Sequence, residues 1–172
     1  MPSIHSVIRR IPAPVKQAIK AKLYPPLLPV GALSPAWTLA DEHGRSHRAG
    51  GTWQVLCFYP GDDTPGCTRQ LQDLSDHLDD FQALEAEVFG VNPADGASHL
   101  RFSQRYGFRF PLLVDGDGQL SNPLGTRMRV LGRTIRSVYV IDPTGRVALA
   151  QRGAPPATEL LARIRSGGTA SD

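Results

Sequence analysis

Residues 53–59, WQVLCFY, are apolar at all but one position, and the run ends at the loop PGDDTPG. Beyond that loop, Leu71, Leu74, Leu78, Phe81 and Leu84 recur at helical spacing. A near-continuous apolar run of this length is the pattern of a strand buried on both faces. The stripe after it is one face of an amphipathic helix, read here as a single long helix starting at Cys67. A buried strand feeding directly into such a helix commits the chain to an α/β arrangement around a sheet.

The rest of the chain extends that alternation. Residues 36–41, with a turn at Glu42–Gly44, predict an early hairpin. Val88, Phe89 and Val91 make a short strand ended by Asn92–Pro93. Residues 98–106 read as a helix with Ser98 as its cap and Gly107 as its stop. Residues 111–115 are a further strand, followed by a turn over Asp115–Gly118. Residues 137–142 and 146–151 form a hairpin around Pro143 and Gly145, and a closing helix runs to Gly167. The order predicts a central mixed β-sheet flanked by helices, the order of the thioredoxin-like fold. No repeat and no internal linker is visible.

A chain of 172 residues suits one domain with some length to spare. The spare length lies in residues 1–30, a basic, proline-rich extension with a short helix whose stripe is Val15, Ile19 and Leu23. The body spans 31–166, and 167–172 is a flexible tail. Five basic residues fall in the extension and no acid precedes Asp41, leaving 14 basic against 16 acidic residues beyond it. The high pI therefore belongs to the arm, and no aromatic-plus-basic groove points to nucleic acid. Packing of the arm on the body or on a sister subunit is the favoured reading; contact with an anionic membrane is the weaker one. No stretch approaches the roughly 18 uninterrupted apolar residues that cross a bilayer, and the first 20 residues lack a secretory signal core. Two cysteines are too few for a disulfide framework, so a reducing cytoplasm is the expected compartment.

Those two cysteines have different surroundings. Cys57 lies within the apolar strand and reads as a small buried hydrophobe. Cys67 stands where the strand has ended and the helix begins. First-turn N–H groups lack backbone partners and the helix dipole is positive there, so the reactive thiolate is favoured. Thr64, three residues earlier, can bring a hydroxyl near the sulfur, and Pro65–Gly66 can set the turn. A thioredoxin-type C-x-x-C is absent, since C-T-R-Q supplies one cysteine. His43 and His47 flank a turn without useful metal partners, and DGDGQ at 115–119 lacks the later acid of a calcium loop. They read as solvated loop histidines and a plain turn.

The run Pro60 to Cys67, P-G-D-D-T-P-G-C, resembles the P-x-x-x-T-x-x-C signature of peroxiredoxins. FYPGDDTPGCT is especially similar to the bacterioferritin-comigratory, or Q-type, subfamily. VGALSPAWTLADEHGR, EVFGVNPADGASHLRFSQRYGFRFPLLVD and RSVYVIDPTGRV extend the resemblance over about residues 30–165. It implies a thiol-dependent peroxidase, reducing hydrogen peroxide or organic hydroperoxides to water or alcohol, with no cofactor and no metal. Cys67 is then the peroxidatic cysteine, passing through a sulfenic acid. Thr64 would hydrogen-bond the substrate and Pro60 would shield the pocket. Arg136, in R-S-V-Y-V-I-D, matches the family's arginine and would stabilise the thiolate and the leaving oxygen. Without the resemblance Arg136 reads as a surface residue; Arg129 and Arg133 are weaker competitors.

The chain departs from the subfamily at the resolving cysteine. Five residues after Cys67 stands Gln72, and residues 98–106 contain serines but no cysteine. The expectation is a one-cysteine mechanism, with reduction by an external thiol: thioredoxin, glutaredoxin or a low-molecular-weight thiol. The subfamily leans towards monomer or homodimer. The rival reading is a non-turnover redox sensor or interaction module on the same fold.

Overall fold

A computed structural model describes residues 12–167; Arg9, Arg10 and most of the expected tail lie outside the described residues. Helix α1 covers Ala13–Leu23. The hairpin β1 (Thr38–Ala40) and β2 (Ser46–Arg48) follows. Five strands build the main sheet: β3 (Trp53–Phe58), β4 (Ala86–Asn92), β5 (Leu112–Val114), β6 (Ser137–Ile141) and β7 (Val147–Arg152). Their order is β5-β4-β3-β6-β7, parallel from β3 to β5 and antiparallel at β3–β6 and β6–β7. The buried strand β3 thus occupies the centre, as its apolar run demands.

Side-chain alternation on the strands divides the core into two layers. Val55, Cys57, Tyr59, Val138 and Val140 point to one face, with Leu71, Leu74, Phe81, Phe102, Leu160 and Ile164 from the helices. Leu56, Phe58, Tyr139 and Ile141 point to the other, where Trp37, Leu39, Leu120 and Leu124 cover them. Both cysteines belong to the first layer.

The single long helix expected from the leucine stripe is two: α2 (Pro65–Asp76) and α3 (Leu78–Ala83). His77 breaks it, leaving helical geometry at φ −98° and ψ 12°. Its ring Nδ1 lies 2.9 Å from the Asp73 carbonyl, which also accepts the His77 N–H at 3.3 Å, so both donors of His77 turn back onto the end of the helix. Leu78 and Phe81 nevertheless stay in the same core layer as Leu71 and Leu74, which is why one stripe reads across both helices. Helix α4 (Gly96–Tyr106) is capped by Asp95, not Ser98: the Asp95 carboxylate accepts the Ser98 N–H at 2.8 Å. Gly107 ends it in the left-handed region, φ 69°, as a C-terminal glycine should. Helix α5 is Ala157–Arg165.

The segment between β5 and β6 shows no period in the sequence and is ordered by a buried acid. Asp115 accepts the N–H groups of Leu120 and Ser121 at 3.0 and 2.9 Å. The turn over Asp115–Gly118 forms as expected, closed by Gly118 N–H to the Asp115 carbonyl. His47 is less solvated than a loop histidine: Nε2 lies 2.9 Å from the buried Asp41 carboxylate.

Residues 25–30, assigned to the extension by composition, are tied to the body. Arg152 donates to the carbonyls of Pro25 and Gly125, and Tyr139 Oη accepts the Leu28 N–H at 2.8 Å. Helix α1 differs: Val15 and Ile19 are 46% and 44% exposed, so the body does not bury its stripe.

Gly90 stands opposite Cys57 in the β3–β4 register. A Cβ there would meet Leu112 Cδ2 at 2.6 Å and Tyr59 Cε1 at 3.2 Å. Gly90→Ala is therefore expected to destabilise the fold by about 1–3 kcal/mol through overpacking, read as a lower urea midpoint.

Candidate active site

Strand β3 delivers the chain to the loop 59–64, and Thr64 and Pro65 start α2. Thr64 is the N-cap residue, in extended conformation, and Pro65 takes the first helical position, where its missing N–H costs nothing. Cys67 therefore sits in the first turn, with its side chain 1% exposed. Gly66 lets an arginine close over that turn: a Cβ at Gly66 would lie 3.2 Å from Arg136 Nη2.

That arginine comes from the residue just before β6, 69 positions along the chain. Its Nη2 is 3.2 Å from Cys67 Sγ. Its Nη1 donates to the Gly66 carbonyl at 3.4 Å and to Gln70 Oε1 in a short bond. Arg136 and Cys67 are thus brought together, and among the described residues it is Arg136, not Arg129 or Arg133, that bonds to the sulfur. Thr64 and Pro60 lie on the same loop, both exposed. The Thr64 hydroxyl donates to the Gly61 carbonyl at 3.3 Å rather than to the sulfur.

Cys57 is fully buried and unbonded to Cys67. Burial pushes its thiol far up; the Arg136 charge opposes this and Cys67 adds to it. The three groups are therefore within electrostatic reach of one another, closer neighbours than the strand position of Cys57 suggests. Protonated and buried, Cys57 lacks the thiolate that exchange requires.

Asp62 was not singled out by the sequence, yet it holds the loop. Its carboxylate accepts the Tyr59 hydroxyl and the Asn92 amide, each at 2.9 Å, and the Ser98 hydroxyl at 2.6 Å. His99 Nδ1 lies 2.9 Å away, while its Nε2 faces the Leu113 carbonyl at 3.2 Å. Both His99 neighbours are acceptors, a carboxylate on one side and a backbone carbonyl on the other. Burial alone would raise the Asp62 carboxyl. The bonds from His99 and Ser98, the His99 charge and the Tyr59 bond outweigh it and bring the group to about 2. Next in line, Asp63 adopts a left-handed backbone, φ 57°, and accepts from Arg105 and Tyr106 at 2.6 and 2.8 Å. Two consecutive acids therefore lash the cysteine loop to α4. The only hint in the sequence was the D-D pair inside a loop otherwise made of Gly, Pro and Thr.

Residues 30–150 match the model of the AhpC/TSA family, a span that includes this loop, Cys67 and Arg136. The chain belongs to that family, the peroxiredoxins. It is 32% identical over 151 residues to the chloroplastic peroxiredoxin Q of Suaeda salsa, which covers 78% of this chain and 71% of the plant protein. A solved structure of the Xanthomonas campestris bacterioferritin comigratory protein, described for its alkyl peroxide reduction activity, is 30% identical. Its TM-score is 0.70, over 77% of this chain and 92% of that one. A cysteine-to-serine mutant of Xylella fastidiosa PrxQ gives a TM-score of 0.75 at 26% identity, over 83% and 98% of the two chains. The fold is accordingly the thioredoxin-like fold of the peroxiredoxins. The enzyme class is that of the family, thiol-dependent peroxidase.

Acid sensitivity follows from Asp62. Its carboxyl is held below the ordinary 3.8, so its stabilisation is complete above about pH 4 and lost as pH falls through about 2. The full effect is worth roughly 2 kcal/mol. Urea midpoints of Asp62→Asn should lie below wild type at neutral pH and fall less steeply towards acid. The fall will not vanish, because Asp41 is also held at about 2. An acid limb as steep as that of wild type would contradict the assignment.

Proposed function

We propose that the chain reduces hydrogen peroxide or organic hydroperoxides by a one-cysteine cycle at Cys67. The observation that carries this reading is the Arg136 guanidinium 3.2 Å from Cys67 Sγ at the start of α2. The sulfur attacks one peroxide oxygen as thiolate. The O–O bond breaks, the second oxygen takes a proton and leaves as water or alcohol, and Cys67 holds a sulfenic acid. Arg136 is positioned to stabilise the thiolate before attack and the charge on the leaving oxygen during it. Thr64 is assigned to the substrate and Pro60 to the rim of its entry, since both are exposed on the loop that precedes the sulfur.

Reduction is assigned to an external thiol. Gln72 occupies the position of a helix-borne resolving cysteine, Ser98 and Ser103 stand in the other subfamily location, and Cys57 is buried and protonated. A reducing cytoplasm would supply the thiol.

Cys67→Ser is expected to abolish peroxide consumption with every reductant, and Arg136→Met to slow the peroxide step by about 10²-fold. Stopped-flow oxidation of the reduced protein measures the second. Intact mass after one equivalent of peroxide, without reductant, should show a gain of one oxygen. A loss of two hydrogens with Cys57 joined to Cys67 would overturn the one-cysteine cycle, and one oxidation event without turnover would favour a sensor.

A further inference from the structure

The first turns of α2, the start of β6 and residues 154–156 between β7 and α5 enclose an open recess of about 450 Å³. That volume lies within the range of small-molecule sites. Two guanidinium side chains, Arg69 and Arg136, line it. Among the described residues neither forms an ion pair. The one carboxylate in the wall, Asp73, is already engaged. Its Oδ2 accepts the Ala157 N–H at 2.7 Å, and its Oδ1 lies 3.5 Å from His77 Nδ1.

Gln70 supplies an independent sign of a missing partner. Arg136 donates to its Oε1, which settles the orientation of the amide and turns Nε2 the other way. The residue is 7% exposed, and Nε2 has no hydrogen-bond partner. A buried amide N–H left unpaired costs about 1–3 kcal/mol, and native proteins rarely keep one without a reason. Arg136 already bonds to Cys67 Sγ and Gln70, so Arg69 is the guanidinium in the recess without an anionic partner, and with Arg136 beside it the wall suits an anionic oxygen acceptor.

We propose that this recess binds the carboxylate of a low-molecular-weight thiol, and that this thiol is the reductant of oxidised Cys67. The inference rests on the one-cysteine reading. Arg136 connects the two places, since it lines the recess and touches Cys67 Sγ. Cys67 itself does not line the recess, but a ligand whose carboxylate is held at Arg69 lies beside the guanidinium that contacts the sulfur. Its thiolate attacks the sulfenic sulfur; an S–S bond forms, the S–O bond breaks, and hydroxide leaves as water after taking a proton. A second thiolate attacks the outer sulfur of the mixed disulfide. The small-molecule disulfide departs and Cys67 is again a thiolate. Two thiols are oxidised for each peroxide reduced.

The test follows reduction of Cys67 sulfenic acid, made with one equivalent of hydrogen peroxide, by stopped flow. The probes are 3-mercaptopropionate and glutathione, which carry carboxylates, neutral 2-mercaptoethanol and cationic cysteamine. Rates are compared per thiolate after correction for thiol pKa. The carboxylate thiols should exceed 2-mercaptoethanol by about fivefold, the size of a partly screened charge pair, and cysteamine should fall below it. Added salt should shrink the ratio, and Arg69→Glu should bring it to one or lower. Because each ratio is taken within one protein sample, partial misfolding of a variant does not affect it. Equal rates in wild type, or an unchanged ratio in Arg69→Glu, would overturn the proposal. So would reduction by a protein dithiol with no charge preference among small thiols. If peroxide fails to oxidise Cys67 at all, the peroxidase reading falls and this inference with it; oxidation followed by charge-blind reduction sinks this inference alone.

Discussion

In the antiparallel pairing of β3 with β6, Phe58 stands opposite Ser137. That register decides which basic side chain reaches the sulfur. Residues that leave the two strands at this end are Tyr59 and the cysteine loop on one side and Arg136 on the other. A slip of one residue would exchange the faces of β6, sending Arg136 towards the layer of Trp37 and Leu124 and away from α2. The slip is opposed by the alternation itself, since Val138 and Val140 would trade places with Tyr139 and Ile141. The site is thus specified by packing some distance from any chemistry. Burial of the β6 side chains fixes the register, and the register delivers the guanidinium.

A second constraint acts on the other partner. A helix start can favour a thiolate only if the chain enters it at the right place, and the loop before α2 contains little that packs. Asp62 supplies what the loop lacks. It gathers donors from Tyr59 at the end of β3, Asn92 at the end of β4, and Ser98 and His99 on α4. Desolvating a carboxylate is unfavourable, but with this many bonds the ionised form is the stable one. The polar cluster under the loop does the work that apolar contacts do elsewhere in the core.

Strand β3, the hairpins and the position of Cys67 in the first turn of α2 were all legible in the sequence, because period and punctuation are local. Arg136 was legible only through resemblance, since nothing near residue 136 announces that it faces a sulfur 69 positions back. The break at His77 was hidden because the leucine stripe continues in the same core layer across it. Ser98 looked like a helix cap, and its hydroxyl is instead bonded to Asp62, a partner 36 residues away that no local pattern reveals. The same holds for Gln70, an ordinary polar residue on a helix until Arg136 is placed beside it. What escaped the sequence was non-local polar pairing.

Arg152 joins three segments distant in sequence. It donates to Pro25 and Gly125 carbonyls and to the Ser137 hydroxyl, the residue next to Arg136. The exit of the N-terminal arm, the loop before β6 and the first residue of β6 therefore share one guanidinium. Groups that share a partner do not respond independently to substitution. For this molecule the boundary between arm and active site is topological rather than energetic: changes near Pro25 and changes near Arg136 belong to the same thermodynamic cycle, and their effects are not additive.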